Sequence, residues 1–213
     1  MLIEKVVYTL AVLLFIYLVY KKYAKKQSFT YIDSYAFHRG LIQKFKVIRP
    51  ELDDEQVKEV ALALKDYFKI AKMANQKLVS MPSQVVDDLW HEFILFTRQY
   101  QNFCKEAFSH YLHHTPAEAM QTKSMPTEGI KRTWKYACKL EGIDPKAPQY
   151  LPRLFALDAL YGIENGFYYS KDCKNSNGTG YCASDIGCSG GSGCAGDTGS
   201  SCGSSCSSGC GGD

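Results

Sequence analysis

The chain has 213 residues, 46% of them hydrophobic, and a formal net charge of +3, which suits one globular domain with appendages. Residues 1–26 carry Lys5, Lys21, Lys22, Lys25 and Lys26 against Glu4, a net +4, so the remaining residues sum to −1. A nucleic-acid binder needs a basic stripe on its folded part, and this charge distribution leaves none, which excludes nucleic acid as a partner.

Val6 to Tyr20, VVYTLAVLLFIYLVY, is an apolar and aromatic run without charge. With Leu2 and Ile3 before it and snorkelling lysines after it, the span reaches about 20 residues, enough to cross a bilayer. Tyr17, Tyr20 and Tyr23 suit an interfacial belt. A cleaved signal peptide needs a positive start and a small-residue cleavage site, whereas this segment ends in YKKYAKK. The reading is a single-pass anchor in the inner or plasma membrane. The lysines that follow it place the N-terminus outside and the body in the cytoplasm.

Residues 27–172 read as an all-α domain of about five to six helices. Phe37, Leu41, Phe45 and Val47 space an amphipathic helix over 34–47, stopped before Pro50. Asp53 or Asp54 caps a long helix through about Leu78, with Val57, Val60, Ala61, Leu64, Phe68 and Ala71 recurring at three and four. Pro82-Ser83 starts a central helix that runs to about Phe108, with Asp87 and Asp88 early, where the helix dipole favours them. Pro116 opens a short helical piece, and a further helix spans 130–140, ended by Gly142. DPKAPQYLP is a turn-rich connector, and LFALDALY is a last helix stopped by Gly162. No segment alternates with strand period.

The chemistry-bearing residues concentrate in the central stretch. On a helical wheel, Leu89, Trp90, Phe93, Phe96, Tyr100, Phe103, Cys104, Ala107 and Phe108 gather on one core face. Cys104 and Cys138 therefore read as buried small hydrophobes. Asp87 and His91 lie one turn apart at the edge of this face, where they can form a hydrogen-bonded pair, two metal ligands or an acid–base dyad. His110, His113 and His114 follow where the helix ends, a place the dipole favours for imidazoles. His113 or His114 can fold back on Asp87 and His91, because the chain must reverse near Pro116. The His-Glu-x-x-His zinc signature fails, since Leu95 stands where the second histidine belongs, and no Gly-x-Ser-x-Gly elbow or phosphate loop is present.

Asp87-x-x-Trp90-His91-x-x-Ile94-Leu95-x-Thr97-x-x-Tyr100-x-x-x-Cys104-x-x-x-Phe108, followed by His113-His114-x-Pro116, resembles the glycine-rich domain-containing protein-like family of plants, fungi and bacteria. The resemblance covers roughly residues 50–165, including LPRLFALD. It implies an α-helical domain and no established reaction. Phe93 departs from it, standing where many relatives carry a second histidine, and Ser109 stands where glycine is frequent.

Twelve of the seventeen glycines and seven of the nine cysteines fall after residue 172, with many serines. Residues 173–213 thus form a low-complexity tail that cannot bury enough apolar area to order itself. Cys202, Cys206 and Cys210 do not match ordinary zinc-module spacing, yet flexible thiols can wrap soft ions such as Zn²⁺ or Cu(I).

The leading functional expectation is a non-enzymatic binding or scaffold protein at the membrane with an unidentified protein partner, because no catalytic set is complete. A second is a metal-binding or metal-handling protein using Asp87, His91 and His113 or His114 together with the tail thiols, with Zn²⁺ the ion those donors suit. A third is a hydrolase-like enzyme with His91 as general base.

Overall fold

The computed structural model describes residues 2–114, 124–170 and 181–182. The short helix expected after Pro116 and the tail with Cys202, Cys206 and Cys210 lie outside these residues. The described chain is all-α: α1 (Leu2–Ser34), α2 (Arg39–Ile48), α3 (Asp54–Ala74), α4 (Gln84–Leu95), α5 (Thr97–Phe108), α6 (Ser124–Glu141) and α7 (Arg153–Tyr161). A two-residue parallel pairing of β1 (Tyr169–Ser170) with β2 (Tyr181–Cys182) is the one strand element among them, too short to carry an alternating signature.

Helix α1 does not stop where the apolar run does. Its span from Glu4 is long and apolar enough to cross a membrane, with a mean hydropathy of 1.5 and no part of that window buried. The helix then continues into the domain, where Ile32 is fully buried and Tyr31 packs on Phe103 at 5.9 Å between ring centroids. The sequence assigned residue 34 onward to the next helix. Instead 35–38 form a connection, and α2 begins where the His38 imidazole accepts from the Gly40 N–H at 3.1 Å.

Asp53, of the two candidates, caps α3. Its carboxylate accepts from the Gln56 N–H at 2.8 Å while the Gln56 side chain accepts from the Asp53 N–H at 2.9 Å. The helix ends at Ala74, four residues before the expected limit. Asn75 and Gln76 adopt left-handed backbone at φ 50° and 67°, and Asn tolerates that region because its amide can bond locally.

The expected central helix is two helices. At Phe96, φ −79° and ψ 57° break the path, and its N–H bonds back to Phe93 at 3.1 Å in a tighter turn. No proline or glycine marks this break. The apolar period carries across it, so a wheel cannot register it. Leu89, Trp90 and Phe93 from α4 and Tyr100, Phe103 and Ala107 from α5 all remain buried in one core. Phe68 is central to that core, with Phe103 at 4.8 Å and Trp90 at 6.0 Å.

Candidate metal centre

Two devices hold the start of α4. Ser83 caps it, its Oγ accepting from the Val86 N–H at 3.4 Å. Behind it sits Asp158 of α7, 1% exposed, whose carboxylate accepts from the Ser83 hydroxyl at 2.7 Å and from the backbone N–H groups of Gln84 at 2.7 Å, Val85 at 3.3 Å and Phe167 at 2.8 Å. A buried charge is tolerable only when its acceptor sites are filled this way, and a helix N-terminus adds favourable dipole. Sequence reasoning missed Asp158, because LFALDALY gives no sign that its one acid points inward. Asp88 faces away from the histidines and accepts from Arg49 Nε at 2.7 Å and from Gln84 Nε2 at 2.9 Å.

With α4 fixed, Asp87 and His91 project one turn apart. His91 Nδ1 lies 3.5 Å from Asp87 Oδ2, and the His91 side chain is 49% exposed. The third member arrives from the segment after α5. Ser109 adopts φ 65° and turns the chain at the helix end. Trp90 Nε1 donates to the Tyr100 hydroxyl at 3.1 Å, and that hydroxyl donates to the Leu112 carbonyl at 2.6 Å, which pins the returning segment against α4. His114 then lands with Nε2 3.0 Å from Asp87 Oδ1, its ring 4.6 Å from Trp90 and 4.4 Å from His91. Since the carboxylate can only accept, Nε2 is the protonated nitrogen of this pair.

Of the two adjacent histidines, His114 is the one that folds back. His113 is exposed and lies tilted against Tyr111, 4.7 Å between ring centres, outside the group of three around Asp87. His110 contacts the Phe108 carbonyl through Nδ1 at 3.0 Å. Phe93 is fully buried among aromatic rings.

Ligand atoms of Asp87, His91 and His114 all lie within 4.8 Å of one another, and no other such group of three occurs among the described residues. A tetrahedral ion bound at about 2.0–2.1 Å separates its ligands by about 3.3 Å. The two histidines approach opposite oxygens of the Asp87 carboxylate, His91 Nδ1 at 3.5 Å from Oδ2 and His114 Nε2 at 3.0 Å from Oδ1, so a shared ion would draw the half-exposed His91 ring inward. An ion held by this carboxylate and two imidazoles would have a fourth ligand position to fill. Tyr67 lines the inner side, with its ring 5.0 Å from Trp90 and its hydroxyl donating to the Val79 carbonyl at 3.2 Å. Burial first, and the Asp87 charge second, push its phenol up, so it stays a neutral wall.

Both domain cysteines lie elsewhere. Cys104 and Cys138 are buried and free, and burial pushes both thiols up, Cys138 to about 12. They pack rather than ligate.

No curated protein and no solved structure matches the chain. The UCP032817-like family, whose description names no activity, matches residues 27–186, and the chain belongs to that family.

Proposed function

We propose that this protein is a membrane-anchored, non-enzymatic metal-binding protein that holds a divalent transition-metal ion, with Zn²⁺ the best fit, between Asp87, His91 and His114. The observation that carries the reading is the convergence of these three donors within 4.8 Å. The chain brings them together from two helix positions and a returning segment. Imidazole nitrogens and a carboxylate suit Zn²⁺ and its neighbours in the transition series. With an ion bound, the neutral His114 ring would carry its proton on Nδ1, leaving Nε2 free to bond the ion in place of its hydrogen bond to Asp87.

The apolar length of α1 supports the anchor, and the four lysines after the span support a cytoplasmic body. The Trp90-His91 motif supports kinship with the glycine-rich domain-containing protein-like family. The tail thiols, Cys202, Cys206 and Cys210 among them, would add a second, softer binding region.

The competing reading makes His114 and Asp87 a structural clasp within a scaffold. Elemental analysis of the purified full chain, after alkylation of the tail thiols, separates the two. About one zinc per chain, lost in both His91→Ala and His114→Ala while helicity is retained, is the expected result. A metal-free wild-type chain after incubation with excess zinc would end the metal reading and leave the clasp.

A further inference from the structure

On the metal reading above, the centre built from Asp87, His91 and His114 needs one more ligand, and zinc sites that do no catalysis close with four protein donors. Among the described residues no further histidine, cysteine or carboxylate joins the group. Asp88 is taken up by Arg49 and Gln84, and Cys104 and Cys138 are buried elsewhere. A Zn²⁺ ion with one carboxylate and two neutral imidazoles also keeps one net positive charge, which an anionic fourth donor cancels. The half-exposed His91 ring leaves the place open to a donor arriving from outside.

The fold brings the root of the cysteine-rich tail to this centre. The N–H groups of Gln84 and Phe167 donate to the same oxygen of Asp158, Oδ2, at 2.7 and 2.8 Å, so their nitrogens are at most about 5.5 Å apart. On one side of that junction, Gln84 and His91 are seven residues apart and fall about 20° from each other around α4, so one helix face leads to the metal centre. On the other side, Ser170 follows Phe167 by three residues and pairs with Cys182, in a ladder whose strands lie about 4.8 Å apart. Even with 167–170 fully extended, Cys182 lies within about 28 Å of Asp87. Cys188, six residues on, can span about 20 Å, and Cys194, twelve residues on, about 40 Å. Cys194 is the first tail cysteine whose reach covers the whole distance.

From this tether we infer that the Cys194 thiolate supplies the fourth ligand and closes an Asp87–His91–His114–Cys194 site. The sulfur takes the place of a water on the ion, and the thiol proton passes to solvent. Thiolate is a ligand that Zn²⁺ accepts alongside imidazole and carboxylate, and it brings the bound ion to zero net charge. Carried on the same chain, it acts at the high effective concentration of an intramolecular donor. Cys202, Cys206 and Cys210 lie farther along and stay with the softer binding region.

The test uses cobalt(II) in place of zinc, because a cobalt–sulfur bond adds a near-ultraviolet charge-transfer band that nitrogen and oxygen ligands do not give. The full chain carries Cys173→Ser, Cys188→Ser, Cys202→Ser, Cys206→Ser and Cys210→Ser, which leaves Cys194 as the one thiol after Cys182. One equivalent of cobalt should bind and show the band. Adding Cys194→Ser should remove the band while cobalt still binds, more weakly, through the histidines. Adding His91→Ala or His114→Ala instead should remove band and cobalt together, with helicity retained. Histidine-dependent cobalt without the band would overturn the thiolate ligand and leave the metal centre standing, with water or a carboxylate in the fourth place. A band that survives Cys194→Ser or His114→Ala would overturn it as well, since the sulfur is then a different one or is bound elsewhere. No histidine-dependent cobalt in any of these chains would end the metal reading, and the tail ligand with it.

Discussion

Asp158 concentrates more of the fold's polar energetics than any other single side chain described. It closes the N-terminus of α4, the turn after α7 and the Ser83 hydroxyl at once. Asp158→Ala strands several buried donors, each costing about 1–3 kcal/mol, so a loss of about 3–5 kcal/mol is expected in urea unfolding. Gly166 is tied to the same carboxylate. A Cβ there would sit 2.8 Å from Asp158 Cβ and 2.9 Å from the Ile163 carbonyl, and Gly166→Ala should cost about 1–3 kcal/mol. Residues of this kind were invisible beforehand. Asp87 and His91 were legible because helical spacing alone puts them side by side. Asp158 was not, because three of its four partners, at the start of α4, are 73 to 75 residues away in sequence.

At the scale of elements, the break at Phe96 makes the convergence of Asp87, His91 and His114 possible. A straight helix from Asp87 to Phe108 would carry the chain about 31 Å away. The six residues from Ser109 to His114 can return at most about 20 Å. Only a change of direction between α4 and α5 lets His114 meet Asp87. The returning segment is then held by the Trp90–Tyr100–Leu112 bonds. Tyr100→Phe removes the acceptor for the buried Trp90 N–H and the donor to Leu112, which should cost about 1–3 kcal/mol. If the metal reading holds, the same variant should weaken zinc binding by about 10–100-fold, the range typical of groups that orient ligands from behind, as read by competition with a chromophoric chelator. A variant that loses stability but keeps its zinc affinity would show that the segment is held by other contacts.

On the scale of the whole molecule, α1 belongs both to the apolar span and to the domain core. Ile32→Ala should cost about 2–5 kcal/mol, and a chain starting after residue 35 should fail to fold cooperatively, as followed by denaturant titration. Alkaline pH probes the same core. Burial pushes the Tyr35 phenol and the Cys138 thiol both to about 12 in the folded chain, above their ordinary values of about 10 and 8.5. A folded-state value raised in this way contributes stability that is complete below the unfolded value and is lost as pH rises through the folded one. The urea midpoint should thus hold to about pH 8.5 and fall steadily between about pH 9 and 12, with Cys138 unreactive to alkylation at neutral pH until the chain unfolds.

Sequence by itself determined the all-α class, the apolar span, where α3 and α4 start, Ser83 as the cap of α4, the limits of α7, and the burial of Cys104 and Cys138. Each of these follows from local spacing or from composition over a few turns. Only the tertiary structure decided that α1 runs on into the core, that the central helix divides at Phe96, that Asp158 points inward and that His114 rather than His113 joins Asp87. Those outcomes depend on how far the chain can reach between remote residues and on which buried polar groups must find partners. Neither quantity is written in the period of any one segment.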